Sequence, residues 1–415
     1  MKRVVITGLG AITPIGNKVE SYWKNLLKGV SGADKITRFD TTNFKTDFAC
    51  EVKNYNPLDY FDRKESRKLD RFNQYGLIAC EEAIADADLQ FENLNKDRIG
   101  VIFSSGIGGF ETFENEILNF FENASLPRFN PFFITKLIAN GVAGLISIRH
   151  GLRGVNSCPV TACASSTNGL IQAYNYIKWG KADIIITGGS EAPITKSSIG
   201  GFNAMKALST NNENYKTASR PFDTSRDGFV IGEGAGTLVV ESLESAKKRG
   251  AKIYAEIIGG AETADAYHIT GTHPEGQGAY LAMKQAIEES KISSYKIDYI
   301  NAHATSTGLG DISEIMAIKK LFAKSLDKIT ISATKSMTGH LLGATGAIEA
   351  IATCLTLNSN MIPPTLHTKK IDERIPANLD FSLGRKTEKN VNYALTNSFG
   401  FGGHCAAMVL KKYTS

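Results

Sequence analysis

The sequence predicts an α/β fold assembled from two halves of similar plan, and two patterns carry that prediction. Short Val/Ile-rich runs bounded by Gly, Ser or Asn recur in the same order in each half of the 415-residue chain. A nearly uncharged helical stretch then follows the third run of each half, as expected of helices buried between sheets. The first half gives strands at 3–8, 98–104, 157–162, 183–188 and 235–241; the second gives 252–259, 297–302, 329–333, 391–397 and 405–410.

The connecting elements match as well. Cys163 and a helix over 164–178 follow the third strand of the first half, and the His340 loop and a helix over 346–357 follow its counterpart. Each half places a glycine-rich turn after its fourth strand, Gly188-Gly189 in one and Gly400-Phe401-Gly402-Gly403 in the other. Few residue identities are shared, so the duplication is one of architecture. No Pro/Ser-rich tether separates the halves, which places them at 1–250 and 251–415, packed directly together. The phenylalanine-rich segment 110–140 stands outside the pattern and is expected to cap a pocket or meet a second subunit.

Bulk composition narrows the function. With 42% hydrophobic and 21% charged residues the chain can bury a large core, and a formal charge of +5 with dispersed basic residues argues against nucleic acid. One basic cluster, Arg63-Lys64-Glu65-Ser66-Arg67-Lys68, is compatible with an acidic protein partner. The run Met1 to Gly8 reads as a strand and turn, too short an apolar stretch for a signal or membrane span. Six cysteines with no paired spacing imply a reducing compartment, so a cytoplasmic location is expected, with neither zinc nor a disulfide framework.

Cys163 lies in Pro159-Val160-Thr161-Ala162-Cys163-Ala164-Ser165-Ser166, where a strand-like reading turns helix-like. A helix start favours the thiolate, which makes this thiol a candidate nucleophile; Cys50, Cys80, Cys158 and Cys354 read as space-filling. His303 and His340 each sit in a loop of small residues just after an apolar strand. Singly, either is readable as structural. As a pair of neutral N–H donors they would stabilise an enolate oxygen, and metal binding is disfavoured because no third ligand has recognisable spacing. Lys335 and Glu349 flank His340 and are expected to form a charged pair orienting the histidines, while Thr305 and Thr307 offer hydroxyls to an extended substrate arm or close a turn. Neither Gly400-Phe401-Gly402-Gly403 nor Gly106-Ile107-Gly108-Gly109 reads as a phosphate loop, because no helix opening on Lys and Ser/Thr follows.

At these residues the chain resembles the β-ketoacyl-[acyl-carrier-protein] synthases, most closely their type II, elongating branch. Further motifs carry the resemblance over nearly the whole length: Val4 to Gly10, Ser105 to Gly109, Arg220-Pro221-Phe222-Asp223, Asp227-Gly228-Phe229-Val230, Gly232-Glu233-Gly234 and Asn397 to Gly403. The resemblance implies a thiolase-like fold of five αβαβα layers, a homodimer, and acyl carrier protein as partner. It implies that Cys163 accepts the acyl chain as a thioester, with the backbone amides of Cys163 and Phe401 as the oxyanion hole. His303 and His340 would then support decarboxylation of malonyl carrier protein to an enolate that attacks the thioester. The products would be a 3-oxoacyl carrier and CO2, with no cofactor beyond the phosphopantetheine that the carrier brings.

Other positions carry over from the resemblance: Lys335 and Glu349 as supporting charges, Phe401 as a gate, and Thr305 and Thr307 as phosphopantetheine contacts. Ile107, Phe133 and Thr270 match substrate-binding positions, and Lys64, Arg67, Lys68 and Lys206 match basic positions that meet the carrier. The chain departs from the family pattern at Ala304, Gly308 and Cys405, where Gly, Pro and Asn are usual. A condensing enzyme of a polyketide or polyene pathway would run the same chemistry. A non-catalytic relative would lack Cys163, and thiolases lack the two-histidine pattern.

Overall fold

The computed structural model describes residues 1–123 and 126–414. Five strands of the first half are β1 (Val4–Ile12), β2 (Ile99–Ser104), β3 (Asn156–Ser157), β4 (Ile184–Glu191) and β5 (Gly234–Ser242). Their counterparts are β6 (Ala255–Ala264), β7 (Tyr299–Asn301), β8 (Thr330–Ser332), β9 (Tyr393–Gly400) and β10 (His404–Lys411). Their spatial order is β3-β2-β4-β5-β1 in one half and β8-β7-β9-β10-β6 in the other, so each strand matches the one five places later. Pairing sense matches too. The first three of each series run parallel and the last two antiparallel. The halves join edge to edge through three antiparallel residue pairs, Val4↔Ile257, Val5↔Glu256 and Ile6↔Ala255.

Helices complete five layers. Helix α1 (Arg71–Asp86) covers the outer face of β1, β5 and β4, and α5 (Gln277–Ser290) covers β6 and β10 with α6 (Gly310–Leu321) beside it. Between the sheets lie α4 (Ser165–Lys178) and α7 (Thr345–Ser359), each touching strands of both halves as well as one another. Their near-absence of charge follows from that position: Leu170, Ala173 and Ile177 on one, and Ala347, Ile348, Ile351 and Leu357 on the other, are fully buried. The aromatic segment forms α2 (Phe110–Glu122) and α3 (Phe133–Leu137) on the flank of the first half.

Two expected elements differ. The third strand of the first half ends at Ser157 rather than 162, because Pro159 has no N–H to donate to a ladder and Ala162 turns to φ 50°. Gly188 and Gly189 lie inside β4, not in a turn, since the antiparallel ladder with β5 runs on to Glu191↔Gly234.

The two central helices cross where Gly346 faces Thr167, and a Cβ at Gly346 would collide with the Thr167 hydroxyl. That hydroxyl is already paired with Ser398 at 2.7 Å, so it cannot swing away freely. Gly346→Ala is therefore expected to lower stability by about 1–3 kcal/mol through overpacking, read as a lower urea midpoint with unchanged slope.

Candidate active site

Cys163 sits in a single 3-10 turn, Ala162–Ala164, that feeds directly into α4. Ala162 holds φ 50°, a left-handed value uncommon for a residue with a Cβ, and the sharp turn sets the thiol at the mouth of the helix. The second half repeats the device. Leu342 at φ 46° opens the turn Leu342–Ala344 that feeds α7, so Gly343 stands where Cys163 stands in the first half.

Phe401 lines the cavity beside Cys163, and the backbone N–H groups of Phe401 and of Cys163 itself favour the thiolate. Phe401 belongs to the β9–β10 turn, where Gly402 (φ 84°) and Gly403 (φ 77°) take left-handed conformations that glycine adopts without a steric cost. The turn is pinned from outside: Gly402 N–H donates to the Ile269 carbonyl at 2.6 Å, and Asp265 N–H to the Gly403 carbonyl at 2.8 Å. Cys405, where the family usually has Asn, is buried below this turn with its thiol 3.7 Å from the Gly403 carbonyl, and the turn remains closed.

The imidazoles of His303 and His340 pack edge to face with centroids 5.4 Å apart. Phe399 holds the far side of His303 and Phe229 the far side of His340. His340 Nδ1 is 3.0 Å from the Thr345 hydroxyl, and His303 Nδ1 has no protein partner. Burial and the nearby Lys335 charge hold both rings well below the usual histidine value, so both are neutral near pH 7. Lys335 and Glu349 form the expected pair, Nζ to Oε1 at 2.7 Å, with side chains 1% and 0% exposed. Burial lifts the Glu349 carboxyl to about 7, against the opposing pull of Lys335 and the Thr334 hydroxyl.

Burial also decides the state of the nucleophile. It pushes the Cys163 thiol up to about 12, outweighing Lys335 and the two amides that favour the thiolate. The activation expected from the helix start alone is thus overtaken in the resting protein.

A cavity of about 320 Å³ unites Cys163, His303 and His340 with Thr305, Thr307, Thr270, Ile107, Lys206 and Phe401. Lys335 and Glu349 stand behind the histidines rather than on its wall. Leu342, Phe202 and Phe229 make one side apolar, whereas Thr305 and Thr307, hydroxyls 3.1 Å apart, supply a polar side. Phe133 is not on this wall; it stacks with Phe129 at 5.5 Å on the flank of the chain. Lys64, Arg67 and Lys68 line a separate surface depression with Pro131 and Phe132.

Sequence reasoning missed the carboxylates that shape the histidine loop. Glu314, on α6, accepts the N–H groups of His303 and Ala304 at 2.9 and 2.8 Å and the Asn397 amide at 2.9 Å. Asp311, one turn earlier, accepts the amides of Ser306 and Thr307 and pairs with Arg226 at 3.4 Å. Their spacing of three places both on one face of α6, the single local signal available.

Comparison with known proteins is concordant along the chain. Family models described as "Beta-ketoacyl synthase, N-terminal domain" and "Beta-ketoacyl synthase, C-terminal domain" match residues 1–246 and 254–369. A 3-oxoacyl-[acyl-carrier-protein] synthase 2 of Staphylococcus aureus is 49% identical over 412 residues, covering 99% of each chain. Among solved structures, a beta-ketoacyl synthase from Burkholderia phymatum superposes with a TM-score of 0.92 at 33% identity, covering all of both chains. A type II polyketide ketosynthase, solved with its acyl-carrier protein, gives the same score, identity and coverage.

Cys163 alkylation provides a direct check on the electrostatics. With the thiol near 12, peptide-resolved iodoacetamide labelling should quicken by about tenfold per pH unit through pH 9 without a plateau. Lys335→Met removes the charge that favours the thiolate, so labelling at Cys163 should slow at every pH in that range. A plateau below pH 8 in the wild type would contradict this picture.

Proposed function

The chain belongs to the beta-ketoacyl synthase family, and from that premise we propose that it is an elongating 3-oxoacyl-[acyl-carrier-protein] synthase of fatty-acid synthesis. The observation that carries the residue assignments is the convergence of Cys163, the Phe401 amide and two neutral imidazoles on one half-apolar, half-polar cavity. In the first half-reaction the Cys163 sulfur attacks the carbonyl of an acyl thioester. The amides of Cys163 and Phe401 receive the developing oxyanion, where preorganised donors are worth most. The thiol proton leaves on the phosphopantetheine sulfur by way of a neutral imidazole, giving acyl-Cys163 and free carrier thiol.

In the second half-reaction malonyl thioester loses CO2, and its C–C bond electrons become an enolate. Neutral His303 and His340 donate N–H groups to the enolate oxygen, which their depressed proton affinity equips them to do without first losing a charge. The enolate carbon attacks acyl-Cys163, expels the thiolate and leaves a 3-oxoacyl carrier; a proton from solvent restores the thiol. Thr305 and Thr307 hold the amide-bearing pantetheine arm, and Ile107 with Leu342 and Phe202 receives the acyl chain. No resident cofactor enters these steps.

Acyl carrier protein docks on the basic depression of Lys64, Arg67 and Lys68, with Lys206, on the wall of the cavity, as a further basic contact. A homodimer would cover part of the flank on which Phe113, Phe121, Phe129, Ile134 and Ile138 are exposed. Phe133, which is off its own chain's cavity, belongs to the same flank through its stacking on Phe113 and Phe129. A cytoplasmic setting is part of the same proposal, in keeping with six unpaired cysteines. A polyketide pathway is the second reading, since a type II polyketide ketosynthase shares the fold over the whole chain, but its 33% identity against 49% for the fatty-acid relative favours the first.

Intact-protein mass spectrometry after incubation with long-chain acyl carrier protein should show one acyl adduct that malonyl carrier protein discharges as a 3-oxoacyl product. Cys163→Ala should show no adduct. Absence of an adduct in the wild type across long, medium and short chains would remove the fatty-acid reading.

A further inference from the structure

Glu191 is the last residue of β4, fully buried, and the proposed chemistry gives it no role. Its Oε1 accepts the N–H of Gly106, and the N–H of Gly343 at 3.3 Å, and the Ile107 amide and the Ser105 hydroxyl lie close enough to favour its charged form. No cation lies within ion-pairing distance of it among the described residues, and Oε2 has no hydrogen-bond partner. An unpaired buried carboxylate is costly, so the group is held as an acid: burial lifts it to about 8.

What surrounds it is the twin of the reactive site. Gly343 occupies the turn position that Cys163 occupies in the other half, and both turns open on a residue of positive φ. Each turn is met by the end of the fourth strand of the opposite half. Gly400 and Phe401 close on the Cys163 turn, and Glu191 closes on the Gly343 turn. Both glycines are needed for that approach: a Cβ on Gly106 or Gly343 would come within 2.8 or 2.7 Å of Glu191 Oε1.

We infer that Glu191 is a positioning residue of the acyl cavity: as a hydrogen-bond acceptor it ties the Gly106–Ile107 wall to the Leu342–Ala344 turn that begins two residues after His340, and so sets how acyl chains are gripped. Ile107 and Leu342 both line the cavity, and the carboxyl binds the backbone beside each. With the tie made, the apolar wall next to the nucleophile is fixed before substrate arrives, which lowers the ordering cost of a long chain more than of a short one. This inference rests on the condensing-enzyme reading for its substrate, whereas the tie itself is a property of the folded chain.

Two readouts separate these layers. In amide hydrogen exchange, Gly106 and Gly343 should be protected in the wild type and in Glu191→Gln, which keeps the acceptor without a charge. They should exchange at least about tenfold faster in Glu191→Ala. In steady-state kinetics, Glu191→Gln should keep the wild-type ratio of kcat/KM for long over short acyl carriers, and Glu191→Ala should lower that ratio by about tenfold, mainly through KM. Gly106→Ala, which presses on the carboxyl from the other side, should reproduce the kinetic shift if Glu191→Ala does not fold. Fast exchange at Gly106 and Gly343 in the wild type, an unchanged ratio in both alanine variants, or Glu191→Gln behaving like Glu191→Ala would overturn the inference. A wild type with protected amides but no acyl transfer would instead overturn the functional reading and leave the tie standing.

Discussion

One ion pair that never meets solvent supplies the charge to which the whole buried centre responds. Lys335 and Glu349 face each other at 2.7 Å in the middle of the molecule, and neither side chain has a route to water. Removing two charges from solvent is costly, and such a pair persists only with good geometry and supporting hydrogen bonds, which Thr334 helps supply. Its effect on neighbours follows from the low-dielectric surroundings, where a charge acts strongly over several ångströms. The Lys335 ammonium discourages a proton on His303 and His340 and favours the thiolate of Cys163. Burial and this one cation together keep the two imidazoles neutral, and the cation offsets part of the burial that holds the proton on Cys163.

The layered duplication makes that pair possible. Glu349 can be buried because α7 lies between two sheets, and Cys163 reaches the same interior because α4 lies beside it. Each half contributes a turn opening a central helix, and each turn is met by a strand end from the other half. In one instance the turn carries a thiol and the strand end offers the Phe401 amide. In the other the turn carries the Gly343 amide and the strand end offers the Glu191 carboxyl. A symmetric framework therefore yields one reactive centre and one structural tie, a few residues from each other.

The strands were legible because short β-branched runs between turn residues reflect burial on both faces, and ten of them fall within a few residues of the observed positions. Cys163, His303 and His340 were legible because each is a reactive side chain among small residues at the end of such a run. Gly188-Gly189 misled because glycine pairs mark turns on average, whereas here ladder pairing with β5 prevails. Glu314, Asp311 and Glu191 were hidden for a different reason. A carboxylate in a helix or at a strand end looks like a solvated charge, and only tertiary packing shows that it accepts backbone amides in the interior. The thiol illustrates the same limit: its helix start is visible in sequence, but the burial that outweighs it belongs to the fold.

The account therefore describes a resting centre of neutral thiol and neutral imidazoles, in contrast to a preformed thiolate–imidazolium pair. Nitrogen-15 chemical shifts of the His303 and His340 rings, assigned with single His→Asn variants, test this most directly. The account predicts neutral-imidazole shifts for both that hold from pH 8 down through pH 6.5. Imidazolium shifts for either ring at pH 7 that vanish in Cys163→Ala would contradict it.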